Sequence, residues 1–417
     1  MLNADDPPRT IPALDAERHS DCQSAPMDAV PRAMRIAYVS ETYPPELNGV
    51  SLTVERTVRF LRARGHIVEL IRPRQPGEAP LDAGDELRTA GYAIPVYREL
   101  RFGVSRVTPL LRRFERTQPE LVHLATPGPL AWAALAAARA LGIPTTSDFR
   151  TNFHQYGRHY GLGAFSTPLL GLLRRFHNLT RRTFVPTRST ARELAAAGFH
   201  NLTTVGRGVD SDQFSPSRRR DSLRREWGAG DAAVLLMVGR VAPEKNVELG
   251  LRAFEQARAA HPDLRLVVVG DGPARSRLQA AHPAAHFVGV QRGAELAARY
   301  ASADVFLFPS LSDTFGNVVM EALASGLPVV SFATAAAAEH VVDGVSGRLV
   351  APDDERGFIA AVSALADAGA ALEPMRAAAL SAARRATWPE VLARFEARLE
   401  DTVHASEATS AHVPVVA

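Results

Sequence analysis

Short apolar runs recur along this chain, and each is followed by a stretch with helical spacing. That alternation limits the fold more than any other feature. The first run is Met34–Ser40. After a Pro-rich loop, Leu52, Val54, Val58 and Leu61 repeat at helical intervals, and Ile67–Ile71 forms the next run. Further runs lie at Leu121–Leu124, Ile143–Asp148, Arg182–Pro186 and Leu202–Val205, with a helix expected over Ala131–Leu141. A second series begins at Val234–Gly239 and continues through Leu264–Gly270, His286–Gly289, Val305–Pro309, Pro328–Phe332 and Ser346–Val350. Helices are expected at Val247–Ala259 and Gly316–Ala324. Strands apolar on both faces need helices covering both sides, which implies parallel sheets built from βαβ units. The reading is α/β, with two Rossmann-like domains. No internal repeat is visible.

The expected divisions are an N-terminal extension over 1–33, a first domain over 34–206 and a second over 207–386. A helix crossing back to the first domain over 387–404 and a tail over 405–417 complete them. Residues 1–33 contain no apolar segment of the kind a secretory signal needs. No run approaches the length of a membrane helix. The one cysteine, Cys22, lies in the extension, so a disulfide framework is excluded and a reducing compartment fits.

Charge is unevenly spread. Met34–Val205 holds 23 Arg against 13 Asp and Glu, a balance of +10, while the whole chain carries only +3. The basic half predicts an anionic partner: nucleotide, phospholipid surface or nucleic acid. Of 48 basic residues only Lys245 is lysine. Where arginine has replaced lysine everywhere else, the survivor marks a place where a compact ammonium is needed.

Two segments carry chemistry. Gly239-Arg240-Val241-Ala242-Pro243-Glu244-Lys245-Asn246 opens at a strand's C-terminal end, where open α/β sheets bind ligands. It sets two cations five residues apart ahead of a helix. Such a pair can clamp a diphosphate and offset the charge on a departing phosphate. The second segment runs from Ser312 to Pro328. Gly316 at a helix start leaves backbone N–H groups aimed at a ligand. Asp313 lies just ahead of it, and Glu321 sits among Val318, Val319, Leu323 and Ala324, where a carboxylate needs hydrogen-bond donors.

These blocks resemble the retaining GT-B glycosyltransferases of family 4, whose Glu-x7-Glu spacing is met here by Asp313 and Glu321. The resemblance runs from about Met34 to about Thr402. It implies that Arg240 and Lys245 bind the donor diphosphate and that Glu321 holds the ribose. Asp313, with the amides of Phe315, Gly316 and Asn317, would hold the donor sugar. Asn48 and Gly49 would bring first-domain backbone to the phosphate, and Val290 and Gln291 would lie near the base. Asp313 stands where Glu is usual. Arg150 stands where many members carry a histidine, and arginine cannot serve as a general base.

Either no histidine base is used in the reaction, or Arg150 binds an anionic group of donor or acceptor instead. The resemblance implies front-face transfer, with the donor phosphate taking the acceptor proton, which favours the first. His154 is either a substitute base or a packing histidine. Arg150, Asn152, His154 and Tyr156 are expected on the acceptor side. The stretch Asp148–Gly163 is similar to a branch that transfers mannose from GDP-mannose, or other sugars, to lipid acceptors. The expected partners are a nucleotide-diphosphate sugar and a lipid or glycan acceptor, with no nucleic acid, no metal and no separate cofactor. Leu169–Phe176 with Arg181 and Arg182 suits an anionic membrane surface, or is an ordinary helix with a basic face. The expected location is cytoplasmic, or peripheral on the inner face of the cytoplasmic membrane.

GDP-mannose is the expected donor and a UDP-sugar the alternative. A nucleotide-dependent oxidoreductase would need Gly-x-Gly-x-x-Gly after the first strand, where Tyr43-Pro44-Pro45 and a single Gly49 stand instead. A non-catalytic nucleotide-binding protein and a nucleic-acid binder are the remaining alternatives, and no nucleic-acid motif accompanies the charge. Asp210-Ser211-Asp212 has the letters of a metal motif but lies in a turn-rich linker and reads as structural.

Overall fold

The computed structural model describes residues 32–46, 49–93, 101–149, 163–310, 313 and 315–411. It is mixed α/β with two separate sheets. Strands β1 (Arg35–Val39), β2 (Ile67–Pro73), β3 (Leu81–Asp82), β4 (Glu86–Ala93), β5 (Arg101–Val104), β6 (Leu121–Leu124), β7 (Thr145–Asp148), β8 (Arg182–Val185) and β9 (Leu202–Thr204) make the first. Its order is β3-β4-β2-β1-β6-β7-β8-β9, with β5 paired to β4. The second has β10 (Val234–Val238), β11 (Arg265–Val269), β12 (His286–Gly289), β13 (Val305–Phe308), β14 (Val329–Phe332) and β15 (Gly347–Val350), in the order β12-β11-β10-β13-β14-β15.

Both sheets start in the middle and wind outward in each direction. Chain connections therefore diverge after β1 and β6 in one sheet, and after β10 and β13 in the other. A crevice opens at each divergence, at the carboxyl ends of the strands.

Successive side chains point to opposite faces, and both faces are packed. In β10, Val234 and Leu236 enter one core while Leu235 and Met237 enter another. In β1, Ala37 and Val39 face one layer, and Ile36 and Tyr38 the other. That second layer is completed by the last helix, Trp388–Ala411, whose Phe395, Leu399 and Val403 are buried against β1 and the helix Gly49–Ala63. Glu396 fixes its register. It accepts Nε2–H of buried His66 at 2.7 Å and Nε–H of Arg64 at 3.2 Å. His66 Nδ1 in turn accepts the Met34 N–H at 3.1 Å. With Glu400, these two residues come within metal-binding distance of one another. The Met34 bond occupies the Nδ1 lone pair, so the ring proton sits on Nε2 and closes that nitrogen to a metal.

The helix continues to Ala411, past the point where the tail was expected. Ser406 is buried, and Glu407 pairs with Arg32 at 3.1 Å. The 3.6-residue repeat of Leu399, Val403 and Ser406 carries the buried stripe beyond Thr402. Arg32 also pairs with Glu120 at 2.7 Å, so the end of the expected extension is tied to the first domain.

The two crossings between the domains touch. Val209 pairs with Thr387 as an isolated parallel bridge, and Arg56 lies over the Trp388 ring at 4.8 Å. Asp210 accepts the Gln213 N–H at 3.1 Å and pairs with Arg56 at 3.5 Å, so the Asp-Ser-Asp letters form a turn. Nearer the cleft, Arg188 of the first domain meets Glu339 of the second.

Candidate active site

The loop after β10 carries both predicted cations. Its backbone tightens into a short 3-10 turn at Pro243–Lys245 and passes through Asn246 in the left-handed region (φ 50) before the helix Val247–Ala260. Asn enters that region more readily than most residues, and here its side-chain amide donates to the Pro309 carbonyl at 3.5 Å, on the loop after β13. The loop after β13 carries Asp313 and reaches Gly316, whose φ of 84 lets it cap the helix Asn317–Ala324. These loops flank the divergence of β10 and β13. A cleft of about 200 Å³ opens between them, lined by Gly239, Arg240, Lys245, Asp313, Gly316 and Asn317 among others.

Across this cleft Lys245 Nζ donates to Asp313 Oδ1 at 2.6 Å. The other Asp313 oxygen is buried with no hydrogen-bond partner among the described residues. Arg240 is about half exposed, with Nη1 3.6 Å from Glu244. Three of the residues singled out from sequence, Asp313, Gly316 and Asn317, thus share one wall, with the two cations on the opposite lip.

Glu321 does not line the cleft. It is only partly buried, and its Oε2 accepts the buried Tyr300 hydroxyl at 2.9 Å. Burial pushes its carboxyl up to about 7, and the Tyr300 bond opposes the shift. Phe315 is buried, and its carbonyl accepts the Ala336 N–H at 2.7 Å. Val290 is exposed. Gln291 bonds back to the Val288 carbonyl at 2.9 Å, and neither residue lines the cleft.

In the first domain, Gly49 opens its helix with the Arg207 guanidinium beside it, 3.9 Å from where a Cβ would sit. Asn48, Arg150, Asn152, His154 and Tyr156 lie outside the described residues.

Two residues escaped the sequence reading. Tyr300 lies 21 positions from Glu321, on the helix Gly293–Ser302, and shows no local pattern that pairs them. Glu41 follows β1 directly, at the first sheet's divergence. Its carboxylate accepts the N–H groups of Gly103, Leu130 (2.9 Å) and Ala131 (3.4 Å), so it caps the helix Pro129–Ala140. Burial pushes it up to about 7 against those amides.

Two doubly wound domains, with a cation-lined cleft at the second one's switch point, define a GT-B glycosyltransferase. The chain belongs to glycosyltransferase family 4. The model of that family, described as Glycosyltransferase Family 4, matches residues 47–213, and the model described as Glycosyl transferases group 1 matches 232–368. A GDP-mannose-dependent alpha-mannosyltransferase of Mycolicibacterium smegmatis is 40% identical over 305 residues, covering 72% of this chain and 79% of that one. A protein of the same description from Corynebacterium glutamicum is 32% identical over 385 residues, covering 90% and 91%. Among solved structures, sucrose-phosphate synthase from Thermosynechococcus elongatus superposes with a TM-score of 0.69 at 17% identity, over 89% of this chain and all of that one.

Proposed function

We infer that this enzyme transfers mannose from GDP-mannose, with retention, to a lipid or glycan acceptor. The observation that carries the reading is the placement of Arg240 and Lys245 on one loop, facing Asp313 and the Gly316 helix start across the switch point. The choice of GDP-mannose rests on the relatives at 40% and 32% identity. In this reading the two cations bind the diphosphate and stabilise the departing GDP, the role a metal plays in other transferases. Asp313 and the amides at the helix start hold the sugar, and the ribose extends beyond the lining residues to the partly exposed Glu321. The acceptor proton goes to the donor phosphate.

A lipid acceptor is supported by the helix Gly163–Asn178. There Leu169 (38% exposed) and Leu172 (51%) stand in solvent beside exposed Arg174 and Arg175. Apolar side chains flanked by arginine suit an anionic interface. No single described helix is long and apolar enough to cross a membrane.

The test is a thermal-shift panel of GDP, UDP, ADP and their sugar conjugates, with and without EDTA, on the wild type and Lys245→Ala. The expected result is selective stabilisation by GDP and GDP-mannose that EDTA does not alter and that Lys245→Ala loses. Stabilisation by UDP compounds alone moves the donor to a UDP-sugar. No stabilisation by any nucleotide overturns the clamp.

A further inference from the structure

The cleft's two cations differ in exposure. Arg240 is about half exposed, with Nη1 3.6 Å from Glu244. Lys245 is more covered. Its Nζ donates to Asp313 Oδ1 at 2.6 Å, and both side chains are mostly covered, with 26% and 19% of their surface exposed. Charge-assisted hydrogen bonds of that length and burial are the strong ones. A diphosphate entering the cleft therefore meets an ammonium already in use. Meanwhile Asp313 Oδ2 is buried and takes no hydrogen bond among the described residues. A carboxylate only accepts, so it needs donors from elsewhere.

We propose that the Lys245–Asp313 ion pair is an exchange device that tells the intact sugar donor from the spent nucleotide. This rests on the cleft being the donor site. When the donor binds, its diphosphate takes Lys245, and its sugar hydroxyls donate to the released Asp313 carboxylate. Both ends of the broken pair find new partners. A nucleoside diphosphate without sugar can take Lys245 but supplies no donor for Asp313, so a buried carboxylate is left bare. Asp313 then competes for Lys245 and weakens the hold on the product. Transfer itself removes the sugar, so the step that makes the product also restores the competitor.

The experiment is titration calorimetry of GDP and of GDP-mannose, with UDP run in parallel, on the wild type, Asp313→Asn, Lys245→Ala and the double variant. Asp313→Asn is expected to bind GDP at least about fivefold tighter, while the preference for GDP-mannose over GDP shrinks. In the Lys245→Ala background the Asp313→Asn gain is expected to vanish, to within about twofold. GDP affinity that is unchanged or weaker in Asp313→Asn overturns the exchange. An equal gain with and without Lys245 also overturns it, because Asp313 would then act only as a general negative field. Either result leaves the donor site intact, provided that wild type binds GDP and Lys245→Ala weakens it. If wild type binds no nucleotide, the donor-site reading falls, and the exchange with it.

Discussion

Tyr300 donates to Glu321 at 2.9 Å from a helix that does not reach the cleft. One of the two oxygens of Glu321 is thereby taken by the protein, and the carboxyl's orientation is set from below. Tyr300→Phe keeps the ring and removes the donor. The expected cost is about 1 kcal/mol of stability, a typical net hydrogen-bond contribution. Nucleotide affinity should fall several-fold, and its pH dependence should move upward because the bond that lowers the Glu321 pKa is lost. Calorimetry at pH 6, 7 and 8 checks this, and an affinity equal to wild type at all three would show that Glu321 does not need Tyr300.

Four buried groups titrate abnormally, and their effects on stability oppose one another. Glu41 and Glu321 are raised from the ordinary 4.5 to about 7, while His177 and His340 are lowered from 6.5 to about 4, in each case chiefly by burial. Between about pH 4.5 and 6.5 the folded protein holds protons on the two carboxyls, and the unfolded chain holds them on the two histidines. Each raised carboxyl makes stability fall as pH rises through that window, and each lowered histidine makes it rise. Glu321→Gln should therefore tilt the profile upward relative to wild type, by about 1.4 kcal/mol per pH unit. His177→Gln should tilt it downward by the same amount. Urea unfolding at pH 5, 5.5 and 6 reads both slopes. Tilts of the same sign would refute the assignment.

Gly128 is where Glu41 passes. A Cβ there would overlap Glu41 Oε1. Gly128→Ala forces the carboxylate off the N–H groups of Leu130 and Ala131, at an expected cost of about 2–3 kcal/mol. In a Glu41→Ala background the same change should cost under about 1 kcal/mol, because the clash and the cap are already gone. Chemical denaturation of the four proteins gives the coupling directly. Additive costs would mean that Gly128 serves some other need.

Glu339 bridges the domains by two bonds to one residue. It accepts the Arg188 backbone N–H at 2.7 Å, at a helix start, and Arg188 Nε–H at 2.9 Å. Arg188→Ala removes only the second, and its side chain is 74% exposed, so the melting temperature should barely move. Glu339→Ala removes both. Interdomain distances measured between spin labels should broaden in Glu339→Ala more than in Arg188→Ala. Identical distributions in both variants and wild type would show that the contact follows the domain arrangement without helping to hold it.

The sequence was readable where burial left a continuous apolar trace. Leu121–Leu124 and His286–Gly289 fall on the residues read, and most other strands agree to within two residues at either end. Strands β4 and β5 were invisible for a physical reason. Glu86–Ala93 is half-buried along most of its length, and Glu86 and Arg88 form ion pairs on it, so no apolar run marks it. At the site, backbone chemistry was legible: Gly316 as a helix start, Lys245 as the lone lysine. What could not be read was which charged groups meet. Lys245 and Asp313 lie 68 positions apart, and only the β10–β13 divergence brings their loops together.

The last helix has a consequence for how the enzyme is made. Phe395, Leu399 and Val403 fill a core whose other members include Ile36, Tyr38 and Val58, and Glu396 meets His66 across 330 positions. On the ribosome the first domain emerges first but cannot close that layer until the second has been synthesised. The half begun earliest is finished last, and until then its sheet has that layer covered only in part, by Val54, Val58 and Leu61 of the helix Gly49–Ala63.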